Sequence, residues 1–130
     1  MPNFSTALEF DLWSTTRVPT AVGGVPRGVF VDEDGNPQIV AGGRTLGISR
    51  FGDMTAADIV LKREASIGVE GEFALVIGAA VAKGAELAAQ VATGRGITAV
   101  STNFVGAIAL EAGAANGDVI RARRVNYYKP

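Results

Sequence analysis

A mainly β fold is what this chain predicts. The expected form is a small β-barrel, or a β-clip or tulip-like domain, of short strands with an extended N-terminal arm and at most one or two short helices. Three observations carry this reading. Short β-rich runs such as Val29-Phe30-Val31 alternate with glycine turns. Two hairpin dipeptides, Asp34-Gly35 and Asn116-Gly117, sit between apolar runs. A weak internal repeat sets an ambiguous segment beside a plain hairpin.

In chain order, residues 1–20 read as an arm. Glu9-Phe10-Asp11-Leu12 alternates with the period of a strand, followed by Trp13, a Ser/Thr-rich stretch and Pro19. Residues 21–130 read as one β-rich domain. VFVDEDGNPQIVA (29–41) is the clearest hairpin; Leu46-Gly47-Ile48 starts another short run, and Phe73 to Ile77 is a buried one. Residues 55–60 and 111–116 have room for one helical turn each. Leu110 to Val119 reads as strand, small-residue loop, strand.

Residues 78–93, GAAVAKGAELAAQVAT, are rich in helix formers, but Gly84 would cost a helix there about 1 kcal/mol. The repeat offers a way to decide. VPRG (25–28) aligns with VAKG (81–84), Leu46-Gly47-Ile48 with Val105-Gly106-Ala107, and MTAADIVLKR (54–63) with GAANGDVIRAR (113–123). If these are two duplicated units, about 25–64 and 81–125, rather than a chance likeness of Gly/Ala-rich segments, then 85–89 and 97–101 are strands around a Thr93-Gly94-Arg95-Gly96 turn. A short helix over 79–92 is the alternative.

Composition narrows the function classes. At 48% hydrophobic and 19% charged, the chain has material for a packed core. A net charge of −1 with scattered Lys and Arg gives no basic stripe for nucleic acid and no basic amphipathic stretch for a membrane surface. No apolar run is long enough to span a bilayer, and the first residues lack the pattern of a secretory leader, so the Asn3-Phe4-Ser5 sequon carries little weight. There is no Cys and no His, which removes thiolate chemistry and the commonest general base and zinc ligand. We therefore expect no enzyme, no cofactor and no metal.

The remaining polar clusters have plain readings. Asp32-Glu33-Asp34-Gly35-Asn36 lacks the full alternation of a calcium loop and reads as a hairpin tip. The glycine-rich segments 42–47 and 94–96 match no phosphate-binding pattern and read as turns. Glu70 and Glu72 flank Gly71 as a charged edge or turn rather than a paired acid and base. Arg121, Arg123 and Arg124 are expected to face outward from the last strand, on a solvated or intersubunit face. Phe4, Phe10, Leu12, Trp13, Tyr127 and Tyr128 gather aromatic and apolar character at the chain ends. They dock either on the chain's own core or on a neighbouring subunit, where such residues make good anchors.

VAKGAEL, TGRGITAV and VGAIALEAGAANGDVIRARRV, within roughly Gly71 to Val125, resemble the phage capsid cement, or head decoration, proteins. Those proteins share a lysine-glycine turn, a Val-Gly-rich strand, a Gly/Ala loop and a Gly-Asp turn into the final strand. The N-terminal half, with its DEDGN hairpin, departs from the smallest members, as a duplicated unit or an added lobe would. The resemblance implies a non-catalytic virion protein, made in the host bacterial cytoplasm. It would be often trimeric, bound to the major capsid protein at local symmetry axes, and would reinforce the mature shell. The competing expectation is a β-barrel ligand- or carbohydrate-binding module of a phage tail or fibre. That module would need a concave aromatic patch from only nine aromatic residues.

Overall fold

The computed structural model describes residues 9–130. The chain is mainly β, with 44% strand and 4% helix, arranged as a nearly closed seven-stranded antiparallel barrel-like sheet. Its elements are β1 (Phe10–Arg17), β2 (Phe30–Val31), β3 (Gly47–Ser49), α1 (Ala56–Val60), β4 (Ala65–Val76), β5 (Glu86–Ala89), β6 (Gly96–Thr98), β7 (Phe104–Ala109) and β8 (Val119–Tyr128). The barrel order is β2-β3-β4-β8-β7-β5-β6, and β1 pairs with β4 beside this path. Closure comes from turns. The Phe30 amide donates to the Gly94 carbonyl at 2.8 Å and the Ala92 amide to that of Ile39 at 2.9 Å, so the β5–β6 turn meets the strand on the far side.

The DEDGN segment is a hairpin tip. The Asp32 carboxylate accepts from the amides of Asp34 and Asn36, at 3.0 and 3.1 Å, and Gly35 takes a positive φ of 82°. Residues 86–89 form a strand close to the expected 85–89, while the second strand, expected over 97–101, spans only 96–98 and takes in Gly96 from the expected turn. Gly84 sits in a turn with φ of 84°, a backbone shape that a helix over 79–92 would forbid. One helical turn forms, at α1. Thr55 and Asp58 cap it reciprocally, and none of its residues is buried. Residues 111–116 stay irregular because Asp118 accepts the amides of Ala114 and Ala115.

The two aligned segments make matching backbone contacts. Val25 and Met54 exchange hydrogen bonds in both directions, and so do Val81 and Gly113. Gly28 donates to Ser49, and Gly84 to Ala109. Asp58 accepts from the Thr55 amide and Asp118 from that of Ala115, both at 3.0 Å. The strand registers follow suit, with Phe30 opposite Ile48 and Glu86 opposite Ile108. They match Gly47 to Ala107 rather than to Gly106, because β7 carries an irregularity between Val105 and Ala107. Strand β4 belongs to both halves. Its residues 65–72 pair with β1 and its residues 72–76 with β8, and Glu72 is common to both registers.

Small residues allow the barrel to be this narrow. Phe30, Ile48, Phe73, Leu75, Ile77, Leu87 and Ile120 fill the interior with Ala89, Ala107, Ala109 and Ala122. The Phe73 ring lies over Gly68 and the Phe30 ring over Gly106, where any β-carbon would strike the ring. This close approach accounts for much of the Gly and Ala content.

The last strand corrects one expectation. Arg121 and Arg123 do alternate outward from Ile120 and Ala122, but Arg124 falls on the inner parity and is buried at 8% exposure. Its guanidinium donates to the carbonyls of Gly106, Val125 (2.7 Å), Leu46 (3.1 Å) and Val69 (3.2 Å), and to the Thr45 hydroxyl (3.2 Å). A buried cation is tolerated because each of its three nitrogens meets at least one oxygen acceptor, contributed by several strands and loops.

Candidate functional site

Strand β1 is long for this molecule, and no described strand pairs with it other than β4. Ile67 and Gly68 have β1 on one side and β3 on the other, so among the described residues nothing pairs with the outer edge of β1. Two register shifts bracket Trp13, between Asp11 and Trp13 and again between Trp13 and Ser14. A bulge of this kind breaks the alternation that would turn one side chain in two toward the core. The result is three exposed apolar side chains close together: Phe10 at 61%, Leu12 at 66% and Trp13 at 55%.

Ion pairs hold this strand to the barrel. The Glu9 carboxylate meets Arg27 at 2.9 Å and Arg50 at 2.8 Å, and Arg50 also reaches Asp11 at 2.8 Å. The Arg50 guanidinium lies 4.4 Å from the Phe51 ring centre and 5.3 Å from that of Phe73. At Gly71 the backbone has φ of 126°, and a β-carbon there would collide with the Phe10 carbonyl, so the two strands approach as closely as only glycine permits.

Beyond Glu72 the sheet forks, with β1 continuing along β4 while β8 runs on with β7. The fork holds a groove of about 600 Å³ walled by Phe10, Leu12 and Trp13, by Val69 to Glu72 and by Arg123 to Asn126. Its rim carries Glu33, Glu70 and Glu72 against the single exposed cation Arg123. Glu72 meets Arg121 at 3.5 Å. Among the described residues, Glu33 and Glu70 have no ion-pair partner. Glu70 and Glu72 are therefore rim charges around an irregular strand pairing.

The other terminal aromatics sit elsewhere. Tyr127 donates a short hydrogen bond to Glu86, and Lys129 meets the same carboxylate at 2.8 Å. That bond pushes the Tyr127 phenol up to about 12, while Lys129 and Tyr127 together hold Glu86 below its usual value. Tyr128 packs edge-on against Phe104 at 5.2 Å, and Arg44 lies 5.0 Å from the Phe104 ring centre. The structure thus brings Phe10, Leu12 and Trp13 together and places Tyr127 and Tyr128 in a separate cluster tied to β5 and β7. Phe4 lies outside the described residues.

A larger open hollow of about 880 Å³ lies between the 21–27, 36–39, 51–53 and 92–95 segments. Pro26, Pro37, Ile39 and Phe51 give it an apolar floor, with Asp53 and Arg95 at its wall. Phe51 is its one aromatic. Val22 in a loop, and Val60 and Leu61 at the end of α1, are also exposed. No group of three acidic side chains is spaced to hold a metal ion among the described residues.

No protein-family model, characterised protein or solved structure matches this chain.

Proposed function

We propose that this chain is a structural virion protein that decorates the outer surface of a phage head. In this reading it binds the major capsid protein as a homotrimer and stabilises the mature shell without catalysis. The observation that supports it most is the β1 edge, unpaired among the described residues, with Phe10, Leu12 and Trp13 exposed beside it. A monomer would normally protect such an edge, and contiguous exposed apolar side chains mark a contact surface. The motif resemblance over roughly Gly71 to Val125 supplies the identity of the partner. A trimer on a lattice makes several weak contacts act together, so each edge can bind modestly.

Co-sedimentation tests the reading. Heads lacking this protein should pellet it at a saturable ratio, and decorated heads should rupture at a higher temperature than bare ones. Absence of any saturable binding to heads would remove it. The 880 Å³ hollow favours a second reading, a ligand-binding module of a tail or fibre. That module would leave head rupture unchanged and show a melting shift with ligand.

A further inference from the structure

We propose that Asn116 is a modification site: its side-chain amide is displaced by the Gly117 nitrogen, and the carboxylate left behind forms an ion pair with Arg95. The reaction needs no partner and stands apart from the decoration reading.

The chemistry begins in the sequence. The backbone nitrogen after an asparagine can attack that asparagine's side chain. Here the Gly117 nitrogen gives up its proton and bonds to Asn116 Cγ. The Cγ–Nδ2 bond breaks and ammonia leaves, closing a cyclic imide. Water then opens the imide at either carbonyl, giving an aspartyl or an isoaspartyl residue. Glycine in second place favours the attack, because it has no side chain to obstruct the ring and moves most freely. Asn116 is the one asparagine with glycine after it; Asn3, Asn36, Asn103 and Asn126 precede Phe, Pro, Phe and Tyr. Proline has no proton to give up.

The fold sets the rate through two opposed contacts. Asn116 is exposed in the turn before β8, and Arg95 Nη1 donates to its Oδ1 at 2.7 Å. Attack on Cγ puts negative charge on that oxygen, and the cation already placed there stabilises it. Among the described residues a β-carbon at Gly117 would touch only Arg95, at 3.9 Å, so the turn has room to rearrange. Against this, the Gly117 amide donates to the Ile77 carbonyl at 2.8 Å, and the Ile77 amide to that of Asp118 at 2.9 Å. An N–H so engaged cannot attack until the bond opens. These bonds lie one step past the Val76–Val119 pair that ends the β4–β8 ladder, and ladder ends open more readily than their middles. The folded protein therefore reacts through fraying of this end, more slowly than the unfolded chain.

The aspartyl product keeps its neighbour. A carboxylate oxygen replaces the amide oxygen, so a neutral acceptor for Arg95 becomes a charged one. Asp-Gly suits the same kind of turn as Asn-Gly. Arg95 also lines the 880 Å³ hollow, so the change alters the charge beside that wall.

The test incubates the purified protein at mildly alkaline pH, folded and in urea, and follows digests by mass spectrometry. Exchange of amide for acid changes the mass; isomerisation at Asp34-Gly35 does not, so the two are not confused. In the folded protein Asn116 should convert before every other asparagine. It should do so at least about tenfold more slowly than in urea, equivalent to an opening cost of roughly 1.4 kcal/mol. Asn116→Gln, whose longer side chain closes the ring poorly, should stop the conversion and melt like the parent. Asn116→Asp makes the aspartyl product directly. It should melt about 1–4 °C above the parent at low salt and lose that gain in an Arg95→Gln background. The proposal fails if folded Asn116 stays intact while the chain in urea converts fully. It also fails if N116D shows no gain that R95Q removes, since the carboxylate would then be unpaired. A folded rate equal to that in urea would overturn the role given to the Ile77 bond.

Discussion

Replacing Arg124 with Met removes the guanidinium while keeping most of the side-chain volume. The carbonyls of Leu46, Val69, Gly106 and Val125 and the Thr45 hydroxyl then lose a buried donor. At about 1–2 kcal/mol for each of four carbonyls, the loss is roughly 4–8 kcal/mol. Against this stands relief from burying the cation. Burial lowers the Arg124 pKa from its ordinary value to about 10, and at about 1.36 kcal/mol per unit this costs the folded state about 3 kcal/mol. The net expectation is a destabilisation of about 3 kcal/mol, or a melting temperature lower by roughly 10 °C. Urea unfolding and calorimetry measure both. Lys at this position should not rescue stability, because one ammonium keeps the desolvation cost and cannot reach every acceptor. Since the folded pKa, about 10, lies below the unfolded one, the unfolded chain binds the proton more tightly from about pH 10 upward. Stability from this group therefore rises with pH in that window and is flat at neutral pH. An R124M protein as stable as the parent would refute the reasoning, since the cation's cost would then outweigh all of its bonds.

Further expectations concern the strand and its neighbours. Gly71→Ala should lift the start of β1 from β4, red-shift Trp13 emission and cost about 1–3 kcal/mol through backbone strain; an unchanged spectrum and melting point would contradict the close approach. Glu9→Gln should lower stability by about 2 kcal/mol, because Arg27 and Arg50 lose a mostly buried partner, and the loss should persist at high salt. Tyr127 should ionise near pH 12 by ultraviolet absorbance, and Glu86→Gln should return it toward 10. Its folded pKa exceeds the unfolded value, so the contact's stabilising contribution is lost as pH rises through roughly 10 to 12. An unshifted phenol would show that the Tyr127–Glu86 bond does not form in solution.

What the sequence made legible was mostly local. Asp34-Gly35 and Asn116-Gly117 needed only turn chemistry, and both lie in turns or bends. Strand pairing across 86–98 was read through the repeat, since Ala, Glu and Leu there favour a helix by propensity alone. Tertiary pairing overrides that preference by burying Leu87, Ala88 and Ala89 between two partner strands. Arg124 was misread because polarity outweighed parity: two steps beyond Ala122 it must turn inward, but its acceptors come from residues as distant as Thr45 and Leu46. The apolar terminus was visible as composition. Its division into a β1 groove and a separate Tyr127–Glu86 cluster was not, because the bulge around Trp13 leaves no mark in the residue types.

Shared ownership of β4 sets the order in which this molecule can be made. As the chain leaves the ribosome, β1 must wait for β4, about half the chain later, before it finds its partner. The second half of β4 waits again for β8, some forty residues further on. Closing such long loops before any reward is slow, and the half-made sheet exposes strand edges meanwhile. The barrel cannot close until β8 has been made. Removing residues 119–128 would take a strand from the middle of the sheet, between β4 and β7.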